Sequence, residues 1–414
     1  MQASWRLVGA ISIASLILFL PQSNTAADQS DVIESGPISG APPPPPVAAS
    51  DAANYTALTN GRILHQHPLP AKKDLVFGVV AFDPRVGCGT ACVGGKYGEA
   101  VRRWAYAVRQ HTNAATTDVV IFTGSRRGSI VHGDPELKAA LRKASVRLVE
   151  ADFFDSSDRV AHRDASRHMW CVVRNRWFVI REFLREHAPE FRSILMTDIR
   201  DALLQADPFA WRPSGHAQQT AESPLSGEWL RRSIVFSGEG SGSVRTLRQS
   251  KKGAPRTLQC ARDSSRLDQA ALLDTDPLNA GVTLGGAEAF LNFSAALSGL
   301  IAHVTTAACL DVKDCTDQGL YNLLVYTNAW AERLPHTRRV VLPIERALSY
   351  TLGHKKRAVT VDAEGRVRND HGEIPPVVHQ FGKGFAGKML KRNAAFGAML
   401  TRASADLTPR GRVY

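Results

Sequence analysis

Apolar positions along the chain fall into two alternating rhythms. Leu75 to Ala81 is a continuous apolar run rich in β-branched residues, which predicts a strand buried on both faces. Gly98 to His111 follows with Val101, Trp104, Ala105 and Val108 at helical spacing, which predicts an amphipathic helix. Strands are expected at Val119 to Thr123 and Val146 to Val149, with a helix from Pro135 to Lys143 between them. A further helix over Asn175 to His187 places Trp177, Ile180 and Leu184 on one face. Pro189 closes it, and Ser193 to Thr197 forms the next strand. Short apolar strands alternating with amphipathic helices predict an α/β domain whose mostly parallel sheet is flanked by helices, with ligands at the carboxyl ends of its strands.

The flanks lack this rhythm. Arg6 precedes an apolar run from Leu7 to Leu20, followed by Pro21, Thr25, Ala26 and Ala27. That pattern reads as a secretory signal. The run is shorter than the roughly 20 residues that span a bilayer, so residues 1–27 are either a cleaved signal peptide or a short uncleaved anchor. Asp28 to Lys73 is small, polar and proline-rich, including Pro42 to Pro46, and predicts a disordered stem. Two stretches poor in apolar residues, Trp211 to Arg232 and Gly238 to Asp274, are expected on the surface. The second carries Arg245, Arg248, Lys251, Lys252, Arg256, Arg262 and Arg266, as a solvated basic loop or as a lid or acceptor-docking surface. Residues 74–389 form the single domain, and 390–414 are set apart as a C-terminal tail.

The formal charge of +12 suits phosphate-bearing ligands, anionic polysaccharides, acidic membranes or nucleic acid. A secretory start removes nucleic acid from that set. Cys88, Cys92, Cys171, Cys260, Cys309 and Cys315 are an even set for an oxidising compartment, with Cys88/Cys92 and Cys309/Cys315 close enough to shut small loops. Zinc is the rival reading, against which neither pair has C-x-x-C spacing. Sequons at Asn54-Tyr55-Thr56 and Asn292-Phe293-Ser294 fit secretion.

Candidate chemistry concentrates between Ser193 and Phe209, where an apolar strand runs into Asp198, Arg200 and Asp201 and then through an apolar patch to Asp207-Pro208-Phe209. Carboxylates at a strand's carboxyl end sit where a parallel sheet binds ligands. A nucleoside diphosphate leaving group needs its charge neutralised, and a hard divalent cation held by carboxylates does this. The plainer account is that these acids cap a turn and pair with Arg200.

This segment resembles the metal-binding signature of the GT-A nucleotide-diphospho-sugar glycosyltransferase superfamily, in which an apolar strand leads to Asp-x-Asp, a short apolar run and Pro-Phe. Asp201 takes the place of the last Asp. Ile199 stands where the first usually is, with Asp198 one residue earlier, which makes the element Asp-x-x-Asp, as in divergent branches. Further segments follow in the order the superfamily would place them. Ser233 to Glu239 resembles the next strand. Asn279-Ala280-Gly281 resembles the segment whose backbone approaches donor or acceptor sugar, a task glycine suits. Asp317-Gln318 resembles a helix start at the acceptor side, where Thr316 or Asp317 could equally be an N-cap. Val377-Val378-His379, with Gly382 and Lys383 after it, resembles the C-terminal His-x-x-Gly in which histidine completes the metal shell.

The resemblance implies a GT-A, Rossmann-like catalytic domain and a metal-dependent transfer of sugar from a UDP- or GDP-sugar to a glycan or protein acceptor, with manganese or magnesium as the ion. It assigns metal to Asp201 and His379 and donor contacts to Phe82, Asp83, Asp198, Asn279 and Gly281, with Asp198 acting through ribose or a metal-bound water. It makes Asp317 and Gln318 the catalytic candidates, Asp317 binding or activating the acceptor hydroxyl, or only orienting it if configuration is retained. A diphosphate contact is assigned to neither Lys383 nor Lys388. The expected place is the Golgi lumen, or outside the cell if the signal is cleaved, with membrane anchoring through the N-terminus if it is not. Rival expectations are a catalytically silent carbohydrate-binding relative and a hydrolase using Asp198 and Asp201 as its two carboxylates.

Overall fold

The structure, a computed structural model, describes residues 72–80, 96–124, 130–151, 153, 165–211, 227–239, 246–249, 257, 269–304, 317–353, 355, 358–381 and 384–405. The signal or anchor, nearly all of the stem, Phe82, Asp83, the two close cysteine pairs, Gly382, Lys383 and most of the basic loop lie outside them. Among the described residues, no helix is long and apolar enough to cross a membrane.

The alternating rhythm folds as expected. β1 (Lys73–Val80) leads to α1 (Lys96–Gln110), β2 (Thr117–Gly124), α2 (Pro135–Lys143), β3 (Val146–Ala151), α3 (Ala165–His187) and β4 (Phe191–Thr197). α2 starts where its sequence says it should: Pro135 opens it, and the Asp134 carboxylate caps the Leu137 N–H at 2.8 Å. Successive residues of β1 serve opposite faces, Leu75 and Phe77 packing with Trp177 and Ile180 of α3, Val76 and Val80 with Trp104 and Val108 of α1. Both faces of the strand are therefore buried, which explains its unbroken apolar run.

Beyond β4 the chain adds β5 (Ala202–Leu204), β6 (Ser233–Gly238), β7 (Leu278–Gly286), α4 (Ala287–Val304), α5 (Asp317–Tyr326), β8 (Arg338–Leu342), β9 (Ser349–Thr351), β10 (Val377–His379), α6 (Gly384–Lys391) and α7 (Ala394–Ala405). The central sheet has seven strands in the order β3-β2-β1-β4-β7-β6-β8. β7 runs antiparallel to both β4 and β6, while the other pairings are parallel. Its reversal brings its first residues to the carboxyl end of β4, with Thr197 opposite Val282. A small sheet, β5-β10-β9, stands beside that end. Buried Gln205 fastens it: its amide nitrogen donates to the Val367 and Pro375 carbonyls, and its oxygen accepts from the Val367 N–H.

The structure departs from the sequence reading at four places. α3 begins ten residues before the expected Asn175, at Ala165. α4 carries apolar residues on nearly every side, so it shows no periodicity to betray it; it is a core helix, with Phe290, Phe293 and Leu297 fully buried. The stretch from Gly238 to Asp274, expected on the surface, buries Glu239, Leu247, Thr257 and Leu272. In the segment set apart as a tail, residues 394–405 form α7, whose Phe396 ring is buried 6.1 Å from that of Phe381.

Candidate metal centre

Asp198, Asp201 and His379 offer ligand atoms that all lie within 4.8 Å of one another. Three separate backbone devices bring them there. Asp198 leaves β4 with its N–H donating to the Gly281 carbonyl at 2.7 Å, which ties it to the start of β7. Asp201 directly precedes β5, and β5 pairs antiparallel with β10 so that Ala202 faces His379. Gln380 then turns the chain away in the left-handed region (φ 56), where its N–H donates to the Asp201 carbonyl at 2.7 Å. The carboxylates and the imidazole, far apart in sequence, are thus neighbours by strand pairing.

His379 Nε2 lies 3.5 Å from Asp198 Oδ2 and 3.6 Å from Asp201 Oδ1, too far for hydrogen bonds, and this buried nitrogen has no hydrogen-bond partner among the described residues. Ligand atoms each about 2.0–2.2 Å from one divalent ion stand ~3.0–3.5 Å apart, close to this spacing. Gly281 faces the same point: a β-carbon there would lie 2.6 Å from Asp198 Oδ2 and 2.8 Å from His379 Nε2. The donor set, two carboxylates and an imidazole, suits manganese or magnesium-type chemistry with one borderline ligand. An orphaned buried nitrogen, a cradle that one methyl group would fill and a fitting donor set together show that the residues present suit a divalent ion.

Electrostatics of the metal-free cluster follow from the same geometry. Burial alone would lower the His379 pKa, but Asp198 and Asp201 outweigh it and push it up to about 9. Burial would raise the Asp198 carboxyl; His379 and the Arg176 guanidinium outweigh that and hold it below the usual range. A proton on His379 and Arg176 therefore share the balancing of the acids.

Arg176 is the residue that sequence reasoning missed. It comes from α3, is buried, and binds Asp198 Oδ1 at 3.0 Å, Asp317 Oδ2 at 2.6 Å and the Ala280 carbonyl at 3.0 Å. Burial opposes its charge, yet Asp317 and Asp198 push its pKa up. A readable signal existed: Arg176 stands four residues before Ile180 and eight before Leu184, so a charge interrupts the stripe that marks the buried face.

Asp317 opens α5, with its Oδ1 accepting the Gln318 N–H at 2.8 Å and its Oδ2 on Arg176. Gln318 is tied into the scaffold, donating from Nε2 to Glu239 Oε2 at 2.6 Å and to the Leu278 carbonyl at 2.9 Å. Asn279 sits wholly buried against the far side of the His379 ring. A cavity of about 90 Å³ opens beside the cluster, lined by Val79, Tyr97, Arg176, Asp198, Arg200 and Asp201. Arg200 Nη2 reaches only to 4.0 Å from Asp201, so the turn-pairing account of these acids is the weaker one. Of the residues singled out in sequence, Asp198, Asp201, Asn279, Gly281, Asp317, Gln318 and His379 gather at this end of the sheet, while Phe82 and Asp83 fall outside the described residues.

No family model matches the chain, and no curated protein matches it. Solved structures do match. The galactosyltransferase LgtC in complex with donor and acceptor sugar analogs is 12% identical, with 82% of this chain and 98% of that chain covered and a TM-score of 0.42. An active-site mutant of LgtC is 13% identical over the same shares, also at 0.42. Mouse xyloside xylosyltransferase 1, in its apo form, is 12% identical, with 74% and 97% covered and a TM-score of 0.39.

Proposed function

We propose that the chain is a metal-dependent glycosyltransferase that moves a sugar from a nucleotide-diphosphate donor to a glycan or glycoprotein acceptor in the secretory pathway. One observation carries this reading: Asp198, Asp201 and His379 converge at the carboxyl end of a mostly parallel sheet, where such sheets bind their ligands. A divalent ion held there supplies neutralisation for the charge that develops on a departing diphosphate. The chain's own residues do the rest. Arg176 fixes Asp198 and Asp317 relative to one another, so the ligand side and the acceptor side share one rigid strut. With Oδ2 on a guanidinium and Oδ1 on a backbone N–H, Asp317 can accept a hydrogen bond from a sugar hydroxyl but is poorly free to carry its proton away, which favours an orienting role. Arg200, half-exposed in the lining of the cavity, offers a cation to the diphosphate.

A two-carboxylate hydrolase is disfavoured by the same geometry. Its acids flank a glycosidic bond about 5–10 Å apart, whereas these converge on one imidazole. The apolar run Leu7 to Leu20 and the stem support a place in the Golgi lumen, or outside the cell if the signal is cleaved, and the donor set supports manganese or magnesium.

A donor screen tests the proposal: each common UDP- and GDP-sugar is incubated with the purified protein, with manganese or with chelator, and release of nucleoside diphosphate is measured. Metal-dependent release from at least one donor is expected. No release from any of them, with sugar binding intact, would leave a silent binding protein in its place.

A further inference from the structure

The amino ends of β1, β4, β6 and β8 point the same way along one edge of the central sheet, and a basic residue stands at each of them. Lys72 precedes β1, Arg192 is the second residue of β4, Arg231 and Arg232 precede β6, and Arg338 opens β8. All five are exposed. Register keeps them level, with Lys73 opposite Phe191, Ser193 opposite Gly286 and Ser233 opposite Arg338. Four strand spacings of about 4.8 Å carry the row from β1 to β8 across ~19 Å.

A cavity of about 350 Å³ opens in this edge, and Lys72, Arg192 and Arg231 line it together with Arg185 from the end of α3. Glu288 is the one acid among its described lining residues, and Pro189 and Leu291 supply an apolar part of the wall. Arg192 is anchored from behind, donating from Nε at 3.1 Å and from Nη2 to the buried Asp74 carboxylate, while its Nη1 makes no hydrogen bond among the described residues. The metal centre is remote: the six steps along β4 from Arg192 to Asp198, at about 3.3 Å each, put ~20 Å between the two.

We propose that this edge is a binding surface for an anionic polysaccharide, whose sulfate or carboxylate groups recur along a line as these cations do. Guanidinium forks meet paired anionic oxygens two at a time, which suits a row made mostly of arginine. The cavity favours a glycan over an acidic bilayer. A flat headgroup surface reaches only the outermost side chains, whereas a polymer chain can follow the row and enter the recess. Sugar C–H faces would then lie on Pro189 and Leu291. The surface does not depend on the metal reading, since it shares no residue with that centre.

The test measures binding of heparin, a sulfated probe, and polygalacturonate, a carboxylated one, to the full-length protein by titration calorimetry. Wild type is expected to bind at least one of them, with an affinity that falls as salt is raised. Lys72→Glu/Arg231→Glu/Arg338→Glu reverses the row, and Lys391→Glu/Arg392→Glu/Arg402→Glu makes the same change in net charge at exposed positions of the C-terminal segment. Affinity is expected to fall ~10-fold or more in the first variant and less than ~3-fold in the second, as the loss of three exposed ion pairs requires. Equal losses would mean that net charge alone holds the polymer, and they overturn the proposal, as does a wild type that binds neither probe. Row-dependent binding to vesicles of phosphatidylcholine with about 30 mol % phosphatidylserine, without row-dependent binding to either polysaccharide, overturns it in favour of a membrane. If the first variant melts below wild type, Lys72→Glu/Arg338→Glu takes its place under the same criteria.

Discussion

Gly281 and His379 face each other so closely that a β-carbon on the glycine would lie 2.8 Å from Nε2. No positive φ demands glycine at this place, so what it contributes is space. Gly281→Ala is therefore expected to keep the fold while lowering metal affinity and transfer activity at least ~10-fold, as a misplaced ligand does. Calorimetric titration beside a circular-dichroism melt checks this; wild-type metal affinity in the variant would show that the ion sits elsewhere.

Asp201→Asn removes one charge from the cluster at constant shape. Transfer activity is expected to vanish, and manganese affinity to drop by about 100-fold or more, with little change in the melting temperature of the metal-free protein, because the acids lose a like-charge neighbour as well as a partner. Full activity in this variant would remove Asp201 from the centre.

Acidity should compete with the ion. His379 titrates at about 9 in the folded, metal-free protein, above the ordinary histidine value near 6.5 in the unfolded chain. Its charged form thus contributes stability that is fully present below about 6.5 and lost as pH rises through about 9. In chelator the melting temperature is expected to fall across that window. Manganese binding must displace the same proton, so affinity is expected to rise up to about tenfold per pH unit toward 9 and then level off. A manganese affinity flat between pH 7 and 9 would mean that His379 is not a ligand.

Arg176→Met leaves the buried Asp317 carboxylate without its cation and the half-buried Asp198 with His379 alone. A loss of ~3–5 kcal/mol in unfolding free energy is expected, since breaking a buried pair strands the remaining charge. Urea denaturation measures it. The double variant Arg176→Met with Asp317→Asn should recover part of the loss; if it recovers none, the two residues are not coupled.

How much of this was legible in the sequence depended on what kind of signal each part left. β1, α1, β2, α2, β3 and β4 declared themselves because each buries residues at its own period, and the acids after Thr197 were visible as charge against an apolar background. β5, β9 and β10 span only three residues each, too short for any period, although β10 ends on the one histidine the reading chose. α4 hid because its apolar residues surround it. Arg176 was overlooked because a single arginine in a basic chain draws no notice until Asp198 and Asp317 are seen on either side of it. Asn279 and Gly281 were picked out for nearness to sugar, whereas the folded chain sets the first behind the imidazole and the second in front of it.

The C-terminal segment offers a separate check on the domain's extent. Phe396 of α7 is fully buried with Phe381, two residues after His379. Phe396→Ala is expected to cost ~3–5 kcal/mol, as for other buried aromatic truncations. A chain ending at Lys391 should melt well below the full-length protein. Equal melting temperatures would return residues 394–405 to the status of an appendage.

Because His379 is opposite Ala202 in the β5–β10 ladder, the spacing between Asp201 and the imidazole is written into strand register and not into either loop. Connections between these strands can therefore lengthen, shorten or change composition freely while the coordinating geometry persists. Slippage by a single rung is another matter: it would swing the imidazole to the opposite face of the ribbon, and the centre would be lost at a stroke with every one of its side chains still present.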